Sequence, residues 1–252
     1  MFERLENTVA LVTGASSGIG RAAALRLAQS GAVVAIVARR ADRLEALAAE
    51  IRRNGGIVLP IAADITSSDE AIAVVTRITS ELGRLDTLIN AAGLMLNGPS
   101  IESPLSEWDR MIDINLRGLI YVTKAALPHL IDAVASSPRN VADVVNISSV
   151  AGRFAAPQVA IYNATKFAVT AATEAWRQEF TRRSVRFSVI EPGATATELF
   201  DQKAGQREGF ASMFGEVEQM HPQDIAEAVA FIVTNPRRVA INEIVLRPTD
   251  QA

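Results

Sequence analysis

Tyr162 and Lys166 lie four residues apart in Tyr162-Asn163-Ala164-Thr165-Lys166, and Ser148-Ser149 closes an apolar run shortly before them. On a helix that spacing stacks the two side chains on one face, one turn apart. A free phenol, with a pKa of about 10, holds its proton too tightly for efficient acid-base work at neutral pH. An ammonium within ~4–6 Å favours the phenolate and is expected to draw that pKa down. Ser149 could then hydrogen-bond a carbonyl or alcohol oxygen beside the tyrosine. Tyrosine and lysine at this spacing also occur on ordinary exposed helices, so the pair gains meaning only if the chain supplies a matching cofactor site.

Such a site opens the sequence. Val9-Ala10-Leu11-Val12 reads as a buried strand that runs into Thr13-Gly14-Ala15-Ser16-Ser17-Gly18-Ile19-Gly20, and Arg21 to Ser30 then carry a helical pattern that stops at Gly31. In a strand, turn and helix of this kind, glycines let a ligand approach the backbone, and the N–H groups at the helix start attract a pyrophosphate. The spacing Gly14-x-x-x-Gly18-x-Gly20 differs from the G-x-G-x-x-G of other dinucleotide folds. At the end of the second strand an acid would bind the ribose 2′-hydroxyl of NAD, whereas an arginine accommodates the 2′-phosphate of NADP. Here Ala35-Ile36-Val37-Ala38 is followed by Arg39 and Arg40, and guanidinium groups suit phosphate, so NADP is the expected cofactor. One of the two arginines is expected to start the next helix in solvent.

Together, in this order, the two motifs resemble the short-chain dehydrogenase/reductase family over nearly the whole chain. Thr13 to Gly20 is similar to the family's TGxxxGIG, and Asn90-Ala91-Ala92-Gly93 to its NNAG, with Ala91 in place of the second Asn. The resemblance implies a single-domain Rossmann fold and a catalytic tetrad of Asn115, Ser149, Tyr162 and Lys166. Ser149 is preferred to Ser148 because the family's serine stands thirteen residues before the tyrosine, the separation of Ser149 from Tyr162. The implied cofactor contacts are Gly14, Ser16, Ser17, Gly18, Ile19, Arg39, Arg40, Asp64, Ile65, Asn90, Ala91, Gly93, Tyr162, Lys166, Pro192, Gly193, Thr195 and Thr197, with Asp64 beside the adenine. By the same resemblance Tyr162 exchanges the proton on the substrate oxygen while Ser149 holds that oxygen. Lys166 grips the nicotinamide ribose, and Asn115 holds a water that carries protons from Lys166 to solvent. The finer likeness is to NADP-dependent dehydrogenases of small hydroxy acids such as serine and to clavulanate dehydrogenases, through Trp108 to Asp113, Glu191-Pro192-Gly193 and the ending Asn242 to Gln251. It points to a small aldehyde, ketone or hydroxy acid as substrate. Ser149, Tyr162 and Arg153 are candidate substrate contacts, Arg153 as a clamp for a carboxylate or, equally, a plain surface charge.

The elements that must position these residues alternate. Apolar runs fall at Val9–Val12, Val33–Val37, Ile57–Ile61, Thr87–Ile89, Val141–Ile147, Val185–Ile190 and Ile244–Leu246, with helical patterns over 18–30, 42–53, 68–82, 107–135, 158–182 and 222–235. That alternation predicts an α/β fold, a doubly wound parallel sheet of about seven strands with helices on both faces. A chain of 252 residues, 49% hydrophobic, fits one domain over 1–252. Residues 193–221, with Phe200, Phe210, Met213, Phe214 and Met220 among glycines, are the one long irregular stretch and the expected cover over the substrate.

Net charge is −3 without a basic run, so no nucleic-acid partner is expected. There are no cysteines and only two histidines, His129 and His221, expected at the surface or as caps, so no metal site is expected. No segment resembles a signal peptide or a membrane span, which makes the cytoplasm the expected location. A stripe of Ala164, Ala168, Ala171, Ala172 and Ala175 on the helix bearing Tyr162 suits close helix packing. With the family resemblance it implies a homotetramer. Two other functions fit the motifs less well: an NADP-binding redox sensor without turnover, and an epimerase or dehydratase of longer relatives.

Overall fold

The computed structural model describes residues 4–251. Short aliphatic runs form its strands: β1 (Val9–Thr13), β2 (Val33–Ala38), β3 (Val58–Ala62), β4 (Thr87–Asn90), β5 (Ala142–Ile147), β6 (Val185–Pro192) and β7 (Glu243–Leu246). All pair in parallel, in the order β3-β2-β1-β4-β5-β6-β7. The chain builds outward from β1 to β3, then returns to lay β4 against the other side of β1. Ligands in such sheets bind in the crevice at that reversal, outside the carboxyl ends of the strands.

β1 and β5 are buried along their whole length, as a sheet covered on both faces requires. Alternate residues divide between two cores. Ala10 and Val12 pack with Leu27 of α1 (Gly18–Gln29), Leu47 of α2 (Ala41–Arg53) and Val229 of α8 (Pro222–Val233). Val9 and Leu11 pack with Val74 and Ile78 of α3 (Ser68–Leu82), Leu130 of α5 (Gly118–Ser136) and Phe180 of α6 (Ala160–Phe180).

Two stretches depart from the periodicity. The single helix expected over 107–135 is α4 (Leu105–Ile112), a π turn at Asp113–Arg117 and then α5. The wider turn carries Asn115, whose buried amide stitches the helix to the strand-end loop. Its Oδ1 accepts the Leu94 N–H at 2.7 Å, and Nδ2 donates to Leu94 O at 2.8 Å and Thr165 Oγ1 at 3.1 Å. Hydropathy averaged over turns cannot register one wide turn inside a helix. The stretch expected to be irregular between Gly193 and Met220 holds a 3₁₀ turn at Glu198–Asp201 and α7 (Gln206–Phe214). Glycines within and beside α7 hide it from propensity. No described helix is long and apolar enough to cross a membrane.

Candidate active site

A cleft of about 990 Å³ at the carboxyl edge of the sheet joins the glycine turn after β1 to the surroundings of Tyr162. Gly14 and Gly18 have φ of +67° and +52°. A Cβ on Gly14 would stand 2.7 Å from the backbone of Ala92, so the turn packs too closely on the segment after β4 for any side chain. Thr13 Oγ1 ties the two together, accepting the N–H groups of Ala91 at 3.2 Å and Ala92 at 3.4 Å. No side chain caps α1 and its first turn holds no acid, which leaves the positive end of its dipole open to an anion.

Arg40 reaches back to this turn. Its Nε and Nη2 donate to Ser16 Oγ at 3.1 and 2.9 Å, and Nη2 also to Ser17 Oγ at 2.8 Å. Arg39 lines the same cleft but is exposed. Asp64 and Ile65 line it from the end of β3, with Asp64 Oδ1 accepting from Thr66 N at 3.0 Å and Oγ1 at 2.8 Å. The missing Cβ atoms, the uncapped helix and the arginine together fit a phosphate-bearing dinucleotide.

At the other end, Tyr162 and Lys166 share the inner face of α6, both buried, with the phenol among Leu94, Met95, Ala151 and Phe200. Lys166 Nζ donates to Ile147 O at 2.9 Å and lies 5.7 Å from the centre of the tyrosine ring. The expected lowering of the phenol by the ammonium does not appear. Burial pushes Tyr162 up to about 12, opposed by the Ser149 hydroxyl. Burial also pulls Lys166 down to about 8. The ammonium is offered to a ring face and a carbonyl, and the apolar surroundings disfavour both charged forms.

Ser149 Oγ accepts the Ala151 N–H at 3.1 Å and makes a long bond to Pro192 O at 3.4 Å. Ser148 is engaged with α6 instead, donating to Lys166 O at 3.0 Å and pairing with Thr170 Oγ1 at 3.0 Å. Pro192 at the end of β6, then Gly193, Thr195 and Thr197 continue the wall.

Asn90, Asn115 and Arg153 are not among the lining residues. The Asn90 amide donates to Thr123 Oγ1 at 3.0 Å and Asn146 Oδ1 at 2.9 Å, under the floor of the cleft. The Asn115 side chain is engaged with Leu94 and Thr165 behind the cleft wall. Arg153 is drawn onto buried Glu191 at 2.6 Å and onto Glu243, so it is no carboxylate clamp.

Sequence reasoning passed over several side chains that shape the cleft. Gln206 bridges to the loop after β4, accepting the Asn97 N–H at 3.2 Å and donating to Met95 O at 2.8 Å. Gln202 accepts the Met95 N–H at 3.1 Å, and Gln251 accepts the Ala194 N–H at 2.8 Å. Asn163 holds the 151–156 loop through Ala151 O at 2.6 Å and Phe154 O at 2.7 Å. No spacing rule marks such amides. Phe200 and Phe210 pack edge to face at 5.2 Å over this end, while the side chains of Met213 and Phe214 lie outside those described. His221 stands at the start of α8, where its N–H donates to Asp224 at 2.7 Å. No group of three or more metal-ligating side chains occurs among the described residues.

Residues 8–208 match the family model described as short chain dehydrogenase. An uncharacterised oxidoreductase of Staphylococcus saprophyticus is 32% identical over 258 residues, covering 100% of both chains. The glycine betaine reductase of Emericella nidulans is 36% identical over 251 residues, covering 98% of this chain but only 19% of that much longer protein. Among solved structures, the closed form of a serine dehydrogenase complexed with NADP+ superposes with a TM-score of 0.87 at 29% identity, covering 97% of this chain and 96% of the other.

Proposed function

Since the chain belongs to the short-chain dehydrogenase family, we propose that it is an NADP-dependent oxidoreductase interconverting a neutral carbonyl compound and its alcohol. One observation carries the reading: a single cleft joins the glycine turn, held by Arg40, to a buried Tyr162 flanked by Ser149 and Lys166. The residues present would hold NADP along the glycine turn, Arg40, Asp64 and the Ala91–Gly93 segment, where it supplies or accepts a hydride. Ser149 holds the substrate oxygen by hydrogen bond and stabilises the charge that develops there. Tyr162, still protonated at neutral pH, gives its proton to that oxygen in reduction and receives it in oxidation. Lys166, as it takes up charge near pH 8, supports the phenolate left behind.

The walls near the tyrosine favour an uncharged substrate. Leu94, Met95, Val159, Leu199, Phe200 and Phe210 are apolar. Of the charged groups there, Lys203 is paired with Glu107 at 2.6 Å and Asp201 with Arg207 at 2.6 Å. A hydroxy acid would bring a carboxylate to a wall whose lysine is already engaged, so aldehydes and ketones fit better. Residues 193–221 act as the cover in this reading, with Gln202 and Gln206 fastening it to the opposite wall. A cytoplasmic homotetramer is part of the same proposal, its assembly supported by the small-residue outer face of α6. Nothing in the site favours a redox sensor without turnover.

The test is consumption of NADPH and NADH with a panel of aldehydes, ketones and hydroxy acids, by the wild-type protein and by Arg40→Ala. Turnover with neutral carbonyls is expected, with the KM for NADPH rising about tenfold or more in the variant while that for NADH changes little. Equal losses for both cofactors would refute the assignment of Arg40 to the 2′-phosphate.

A further inference from the structure

Glu198 opens the 3₁₀ turn of the segment proposed to cover the substrate, yet its carboxylate lies at the opposite end of the cleft, between two arginines. One oxygen accepts from Arg40 Nη1 at 2.9 Å and the other from Arg43. The guanidinium of Arg40 is thereby divided. Its Nε and Nη2 edge holds Ser16 and Ser17 of the glycine turn, and its remaining nitrogen holds Glu198. Arg43 foremost, then Arg40, keeps the Glu198 carboxyl below its usual range, so the anion persists through neutral pH.

We propose that Glu198 is an internal stand-in for the cofactor's 2′-phosphate, a specificity-determining residue that competes with NADP for Arg40 and lets go of the covering segment when NADP arrives. The inference rests on the assignment of Arg40 to the 2′-phosphate. A phosphate monoester and a carboxylate ask for the same planar pair of N–H donors, and one Arg40 cannot give its Nη1 fully to both. A phosphate seated beside Ser16, Ser17 and Arg40 would also lie against a like charge on Glu198, and juxtaposed like charges disfavour binding. A cofactor without the 2′-phosphate meets neither obstacle and leaves Glu198 in place. The turn that begins at Glu198 leads to Phe200, Gln202 and Gln206, which touch the catalytic wall. Loss of the Arg40 pair therefore loosens the near end of that segment when the 2′-phosphate binds. Because the three side chains are about half exposed, the competition is expected to be moderate.

The fragments 2′-phospho-AMP and AMP report on this end alone and require no turnover. Calorimetric titration of both into wild-type protein and Glu198→Gln is expected to show 2′-phospho-AMP bound roughly three- to tenfold more tightly by the variant, and AMP within about twofold. Backbone hydrogen exchange of residues 198–202 in the wild type should rise with saturating 2′-phospho-AMP and stay level with AMP; this second readout needs no variant. If the wild type prefers 2′-phospho-AMP but Glu198→Gln binds it no better and exchange does not change, the stand-in role is overturned while the NADP assignment holds. If neither protein distinguishes the two fragments, the NADP assignment fails and this inference with it.

Discussion

Tyr162 sits under two opposed influences: burial that raises its pKa toward 12 and a Ser149 hydroxyl that favours the phenolate. The resting group is therefore a proton donor, and removal of its hydroxyl leaves the ring packing intact. Tyr162→Phe is expected to lower turnover by ~10²–10⁴-fold while NADP affinity, measured by fluorescence titration, stays near that of the wild type. Near-normal turnover would remove the tyrosine from its role. Lys166 makes a second prediction, on stability. Its folded pKa of about 8 is below the usual 10.5, so between these values the folded protein binds fewer protons than the unfolded chain. Raising the pH through that window should therefore stabilise the wild type relative to Lys166→Met, by up to about 3 kcal/mol in urea unfolding. Folded Tyr162 stays protonated across this window in both proteins, so its contribution drops out of the difference. A flat difference from pH 8 to 10.5 would show that the lysine is not desolvated.

The π turn between α4 and α5 gives the clearest case of one element serving another. Asn115→Ala would strand the N–H and C=O of Leu94, so a loss of about 2–4 kcal/mol is expected by urea unfolding. A loss below about 0.5 kcal/mol would mean that the loop after β4 holds itself. Asn115 also marks where the sequence was legible and where it was not. The strands were legible because a sheet buried on both faces demands unbroken apolar runs, as in Val9–Val12 and Val33–Ala38. The glycine turn was legible because only glycine tolerates the backbone and the close approach found at Gly14. What a polar side chain bonds to is decided by tertiary neighbours, so sequence could not show that Asn115 and Asn90 turn inward or that Arg153 is taken by Glu191. The sign of the Tyr162 shift was misread for the same reason, since burial is invisible in a four-residue spacing. α7 escaped because Gly209 within it and Gly205 and Gly215 beside it mask its helix-forming residues, while its first residue, Gln206, anchors it to the loop after β4.

At the scale of the molecule, α6 has two faces. Tyr162, Lys166, Val169 and Thr173 are buried on one, while Ala164, Ala171 and Ala175 are exposed on the other, beside Phe167 at 42% exposure. Light scattering at micromolar concentration is expected to give about four times the 26.9 kDa chain; a monomer would rule the assembly out. If that outer face is where copies meet, the helix that carries the proton donor is also the helix that a neighbour braces. Assembly and chemistry then cannot be varied separately. Specific activity should fall on dilution, in step with dissociation, and return on reconcentration. A small molecule wedged over Phe167 would inhibit without entering the cleft, and its effect would weaken as protein concentration rises, whatever the amount of carbonyl compound present.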